Sequence, residues 1–192
     1  MRPLFCTSGA PARSTPGDCW LSMKTDIRLA EGYRPGIIGR IAQMHAVYYA
    51  REWGLGAFLE AKIARGCAGF IDRYDPDTDL LLLALNGEAI AGSIIVDLND
   101  PTSKDVEDGD CGAHIRWLIV DDTIRGAGMG RKMMQRAVDH IDRFAGGKAW
   151  LTTFAGLDAA RSLYEDFGFR LARERQGDTW GDPVHEQLYL RG

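Results

Sequence analysis

Between His114 and Arg131 the chain reads HIRWLIVDDTIRGAGMGR: an apolar run that meets two aspartates, turns through glycines and opens a helical pattern. A strand that enters a helix this way presents successive backbone N–H groups, unshielded by β-carbons, beside the positive end of the helix dipole. Such a turn is built to hold an anion. Arg125 and Arg131 flank it with planar guanidinium forks that suit phosphate oxygens. Two familiar phosphate turns do not fit. The glycines lack the GK[ST] ending of a P-loop, and they do not sit early in a βαβ repeat with an acidic residue about 20 positions on.

The rest of the chain arranges itself around this unit. Residues 24–29 alternate polar and apolar, as a half-buried strand does. From Pro35 to Trp53, apolar residues recur at three- and four-residue steps, with Pro35 suited to a first turn and Gly54 to a stop. Residues 57–71 repeat the helical pattern, weakened near its end by Gly66 and Gly69. Asn86-Gly87 separates two apolar runs, 79–85 and 89–98, and predicts a tight hairpin. Residues 113–120 read as a buried strand. The helix after the glycine turn buries Met129, Met133, Met134, Ala137, Val138, Ile141 and Phe144, its methionines serving as core filler. A strand at 148–154, a helix at 157–167 and strands at 169–176 and 184–190 complete the order β-α-α-β-β-β-α-β-α-β-β.

Length and composition set the outer bounds. The 192 residues suit one domain, 23–192, preceded by an unpatterned Pro/Gly/Ser/Thr-rich extension at 1–22 that is expected to be disordered. Met23, just before the first patterned segment, would serve as an alternative start. No uncharged apolar run approaches the roughly 18 residues that span a bilayer, so no membrane partner is expected. A net charge of −4 has the wrong sign for a nucleic-acid binder. Cys6, Cys19, Cys67 and Cys111 show neither metal-ligand nor disulfide spacing, which predicts no metal and a cytoplasmic setting. The acidic residues between Asn99 and Cys111 read as a solvated loop.

With these elements in place, Arg125-x-x-Gly128-x-Gly130 after a strand resembles the acetyl-CoA pyrophosphate motif of the GNAT superfamily of N-acyltransferases. A second segment, Ala160-x-x-Leu163-Tyr164-x-x-x-Gly168-Phe169, looks like that family's fourth-helix motif at the expected distance. The two motifs and the element order span residues 24–191. The first helix and the stretch from Trp180 to Tyr189 are also similar to the acetyltransferase half of MarR-acetyltransferase fusion proteins, without their winged helix.

The resemblance implies a mixed α/β (α+β) fold: a mostly antiparallel central sheet with splayed fourth and fifth strands and four flanking helices. It implies acetyl-CoA as cosubstrate, its pantetheine paired with the backbone of Leu118, Ile119 and Val120. Its pyrophosphate would rest on Arg125, Gly126, Ala127, Gly128, Met129, Gly130 and Arg131. Tyr164 would stand near the thioester sulfur as general acid. Where the family usually has Asn, seven residues before this Tyr, the chain has Leu157, and Asp158 is the substitute cap.

An amine attacks a thioester only when unprotonated, so such a site needs a proton acceptor, an oxyanion donor and a proton donor. A phenol, with its free pKa of about 10, is near enough to a thiol's roughly 8.5 to be that donor. The structural alternative for Tyr164 is a packed aromatic. For the base, His114 and Glu186 are candidates, beside Asp97 and Glu52; His114 and Arg116 are expected on one strand face with Leu118 and Val120. The acceptor would meet the first helix, where His45, Tyr49 and Trp53 recur at four-residue steps and Glu52 lies on an adjacent stripe. That stripe is either core or a cation–π cage for an amine.

The expected reaction is direct transfer of acetyl from acetyl-CoA to a primary amine of a small molecule, peptide or protein. The alternative is a non-catalytic acyl-CoA-binding sensor. The acidic loop and the charge of −4 favour a cationic acceptor. A sheet edge at the C-terminal strand would allow a homodimer.

Overall fold

The computed structural model describes residues 27–106 and 112–192. The extension at 1–22 with Cys6 and Cys19, Met23, positions 24–26 of the strand expected at 24–29, and Glu107, Asp108, Asp110 and Cys111 lie outside the described residues. The elements are β1 (Ile27–Glu31), α1 (Ile37–Trp53), α2 (Ala57–Ile71), β2 (Leu80–Asn86), β3 (Ala89–Asp97), β4 (Ala113–Val120), α3 (Met129–Phe144), β5 (Ala149–Phe154), α4 (Asp158–Asp166), β6 (Arg170–Gly177) and β7 (Val184–Arg191). They follow the expected order, with short 3-10 turns added at Pro101–Asp105 and Asp122–Ile124.

The strands form one seven-stranded sheet in the order β1-β2-β3-β4-β5-β7-β6. Every neighbouring pair is antiparallel except β4 and β5. On one face, Leu80, Leu82 and Ala84 of β2 pack with Met133, Met134, Ala137 and Ile141 of α3. On the other, Leu81, Leu83 and Leu85 pack with Ile37 and Ile41 of α1 and Leu59 and Ile63 of α2. Both faces of β2 are therefore buried, which is why its sequence shows a continuous apolar run instead of alternation. Burying each such Leu or Ile contributes about 1.5–3 kcal/mol.

Two irregularities in β4 build the site. The parallel pairing with β5 consists of Ala113 with Ala149 and His114 with Trp150, after which the two strands part. Against β3, Ser93 pairs with Ile119 and Ile95 with Arg116, so Trp117 and Leu118 together oppose Ile94 as a bulge. Trp117 has φ 49, the one non-glycine positive φ among the described residues, and its carbonyl accepts from Ser93 Oγ at 2.8 Å. The extra residue exchanges the two faces. Ile115 packs with the α3 cluster, whereas Trp117 and Ile119 pack with the α1–α2 cluster and Leu118 and Val120 with the α3 cluster. His114 and Arg116 therefore do not share a face with Leu118 and Val120, because two-residue alternation does not survive a bulge.

Three further expectations are corrected. Asp100, in the stretch read as a solvated loop, is buried and caps the first 3-10 turn by accepting from the Thr102 N–H at 2.8 Å. The C-terminal strand β7 lies inside the sheet between β5 and β6. The edge on that side is β6, whose residues RLARERQG carry the charges that discourage edge pairing. Asp158 does not cap α4: it is the first residue inside the helix, and Leu157 occupies the cap position without a side-chain hydrogen bond.

Candidate active site

Where β4 and β5 separate, a cleft of about 500 Å³ opens between the end of β4 and helix α4. Leu118, Ile119 and Val120 form one wall, Ala160, Leu163 and Tyr164 the other. The Val120 carbonyl faces Arg125, whose Nη2 reaches it at 3.4 Å.

At one end lies the glycine turn. Its entry is fixed by Asp121, which accepts from the Thr123 N–H at 2.9 Å and pairs with Arg40 at 2.5 Å. Gly128, at φ 69, stands in the left-handed region and directs the chain into α3. No described carbonyl accepts from the backbone N–H groups of Gly126, Ala127, Gly128, Met129, Gly130 or Arg131. Arg125 pairs with Asp122 at 2.7 Å and lies 5.2 Å over the Tyr48 ring, while Arg131 pairs with Asp166. The unengaged N–H groups beside two guanidiniums are a donor set suited to an anion, and the wall of Leu118, Ala160 and Leu163 is apolar.

An inner cavity of about 130 Å³ adjoins the cleft on the α1–α2 side: Tyr49, Leu118 and Tyr164 line both. Tyr164 is partly buried, packed 6.1 Å from the Tyr189 ring and 6.4 Å from Phe169. Burial, reinforced by Tyr189, pushes its hydroxyl up to about 12, so it carries a proton at neutral pH. Burial likewise raises Tyr49.

His45 and His114 also line the inner cavity. His45 donates through Nδ1 to the Ile41 carbonyl at 2.9 Å. His114 donates through Nδ1 to Asp100 Oδ2 at 2.7 Å and stacks on Trp150 at 3.5 Å between ring centres. Each tautomer leaves Nε2 with its lone pair. Burial lowers both imidazoles to about 4, although the Ile41 carbonyl and Asp100 respectively oppose it. Burial alone would raise Asp100, but hydrogen bonds from His114 and Thr102 outweigh it and keep the carboxylate ionised.

Behind His114 the charges form a network. Arg116 pairs with Asp100 at 2.8 Å and Asp97 at 3.7 Å, and Arg73 also pairs with Asp97. Asp97 is thereby enclosed and lines none of the cavities described here, which removes it as a base.

An outer groove of about 320 Å³ shares Lys62, His114, Arg116, Thr152 and Trp180 with the inner cavity and adds Glu186 at its far wall. Burial raises Glu186, but the Thr179 N–H at 2.9 Å and Arg175 at 3.4 Å outweigh it and lower the carboxyl.

The structure does not bring Glu52 and Trp53 to these cavities. Glu52 pairs with Arg51 at 2.6 Å on the surface, and Trp53 packs edge-on to Phe154 at 4.9 Å. The eight residues from His45 to Trp53 turn the helix by about 80° beyond two full circles and advance it by about 12 Å, so the stripe leaves the cavity behind. Sequence reasoning missed Lys62 and its partner Trp180. A signal existed: Lys62 is three residues after Leu59 and adjacent to Ile63, a cation set on the apolar stripe of α2.

Residues 62–169, more than half of the chain, match the model of the acetyltransferase (GNAT) family, and the chain belongs to that family. Solved structures agree in fold. yncA from Salmonella typhimurium, solved with its cofactor acetyl-CoA, superposes with TM-score 0.62 at 12% identity over 85% of this chain and 92% of its own. A chain of the NatC complex bound to Gag peptide and CoA gives 0.64 at 16% over 85% and 96%. Ribosomal-protein-alanine N-acetyltransferase from Brucella melitensis gives 0.63 at 13% over 85% and 98%. No curated protein matches the sequence. Among the described residues no group of His, Cys, Asp or Glu could hold a metal ion, and no helix is long and apolar enough to cross a membrane.

Proposed function

We propose that this chain is an acetyl-CoA-dependent N-acetyltransferase that passes the acetyl group directly to a primary amine of a small molecule, peptide or protein. One observation carries this: Tyr49, Leu118 and Tyr164 line both the cleft beside the glycine turn and the inner cavity, so a thioester in one faces a nucleophile in the other. Acetyl-CoA and CoA in structural relatives support the choice of cosubstrate. Use of acetyl-CoA as cosubstrate, together with cysteines that lack disulfide spacing, favours a cytoplasmic setting.

Acetyl-CoA would supply an activated thioester. The N–H groups from Gly126 to Arg131, with Arg125 and Arg131, bind its pyrophosphate, and the residues 118–120 orient its arm along β4. His45 and Tyr49 shape the acceptor cavity. His114 Nε2 accepts the proton that the amine sheds as the new C–N bond forms; Asp100 holds the ring in the tautomer that permits this. Glu186 serves the acceptor from the outer groove.

Tyr164 holds at Oη the proton that the departing thiolate needs. A phenol raised above its ordinary value gives it to a thiolate of about 8.5 only uphill.

The test is acetyl-CoA-dependent thiol release against an amine panel, with CoA affinity measured in parallel by calorimetry. Release that requires a particular amine supports the proposal; CoA binding without release from any amine contradicts it in favour of a sensor.

A further inference from the structure

The inner cavity already holds an amine of the chain itself. Among the described residues, Lys62 is the one lysine that lines this cavity or the cleft beside it, whereas Lys104, Lys132 and Lys148 are exposed. Lys62 is partly buried in α2, between the core positions Leu59 and Ile63. Transfer to an outside acceptor gives it no task.

Its Nζ donates to the Thr179 carbonyl at 2.5 Å and lies 5.0 Å over the Trp180 ring. Both partners are neutral. A carbonyl takes up one N–H, so the deprotonated amine can stay held there and keep its lone pair. Burial lowers the ammonium from its ordinary value, with Glu186 opposing and Arg116 adding to the effect, and a desolvated lysine is an activated nucleophile. The cavity is also small: about 130 Å³ is less than the roughly 150 Å³ that admits one benzene. An acetyl group that enters beside Tyr164 and Leu118 has little room to avoid an amine on a flexible stem. His114 and Tyr164, the proposed proton acceptor and donor, line the same space.

We infer that Lys62 is a self-acetylation site: with acetyl-CoA bound and no acceptor present, Lys62 Nζ takes the acetyl group. The neutral Nζ attacks the thioester carbonyl, and the C–N bond forms as the C–S bond breaks. The proton shed by nitrogen passes to His114 Nε2, and the thiolate leaves with the proton of Tyr164 Oη. The products are acetylated Lys62 and CoA; the proton on His114 returns to the Tyr164 oxygen through solvent. An amide does not pass its acetyl group on as a thioester does, so this is an end state. The cation over Trp180 is gone and the acetyl group fills the space an outside amine needs. The inference rests on the transferase proposal for its acyl donor and cleft.

The experiment incubates the whole protein with acetyl-CoA and no amine, and quantifies acetylation at each lysine by peptide mass spectrometry. The expected result is acetylation of Lys62 at least about tenfold faster than of Lys104 and Lys132, a modest gain for an amine held beside its electrophile. The fractional rate should not depend on protein concentration, and thiol release should be a burst of at most one per chain. Excess CoA and Tyr164→Phe should each slow Lys62 and leave the exposed lysines unchanged. Lys62→Arg, which keeps a cation beside Thr179, should abolish the burst; the site mapping on the parent chain stands whether or not this variant folds. Modification of Lys62 no faster than of the exposed lysines, while some amine elicits steady release, overturns the inference and leaves the transferase standing. A fractional rate that rises with protein concentration overturns it as well, since the acetyl group then comes from another chain. CoA binding with neither amine-dependent release nor acetylated Lys62 overturns the transferase and the inference with it.

Discussion

The indole of Trp117 lies so close to Gly66 of α2 that a Cβ on Gly66 would come within 2.8 Å of Cζ2, and within 3.1 Å of an Arg116 nitrogen. The glycine that weakens the helix is the space into which the bulge of β4 puts its side chain. Alanine at an ordinary helical glycine gains about 1 kcal/mol, but overpacking against a rigid indole costs about 1–3 kcal/mol. Gly66→Ala should therefore lower the melting temperature by a few degrees and raise the acceptor KM. Gly69→Ala, three residues on with nothing within 4 Å, should raise it. Thermal melts of the two variants check the contrast.

Acid should destabilise the protein earlier than ordinary surface histidines would allow. His45 and His114 titrate near 4 when folded and near 6.5 when unfolded, so the unfolded chain binds more protons between these values and stability falls as pH is lowered through that window. Asp97 opposes this, since burial raises it to about 6, but two histidines outweigh one carboxyl. Melting temperatures from pH 7.5 to 5 should decline, and His45→Gln should flatten the decline. In kcat/KM, His114 should produce no break near 6.5.

Arg125 pairs with Asp122 at the entry to the glycine turn proposed to bind the pyrophosphate. Arg125→Ala should weaken acetyl-CoA binding by about tenfold, the cost of one charge-assisted contact, with kcat at saturation little altered. Calorimetry against CoA at two salt concentrations checks this, and the loss should shrink at high salt.

Element types were legible wherever local signals were strong. The Asn86-Gly87 turn, the periodicity of α1 to α3 and the strand–glycine–helix unit all appear where their residues place them, with ends shifted by one or two positions. What the sequence concealed is non-local. The β4 bulge at Trp117 has no glycine or proline to announce it, and it reverses which side chains reach the inner cavity. The burial of Asp100 depends on Arg116 and His114, which come from a different strand and look unremarkable alone. The helix that carries Tyr164 and the 125–131 turn were readable as elements because their spacing is local; the place of Lys62 was not, because it lines a groove closed by Trp180 from the other end of the chain. The helical stripe from His45 predicted Tyr49 in the cavity and overreached at Trp53 for want of the accumulated rotation.

The central claim is that the Tyr164 hydroxyl supplies a proton at the junction of cleft and cavity. Tyr164→Phe keeps the ring against Phe169 and Tyr189 and removes only the oxygen. Steady-state thiol release under saturating acetyl-CoA, paired with calorimetric CoA affinity, measures it most directly. The predicted result is a kcat reduced by about 10²–10⁴-fold with CoA affinity within a factor of about two of the parent. An unchanged kcat would contradict the role and leave Tyr164 a packing residue.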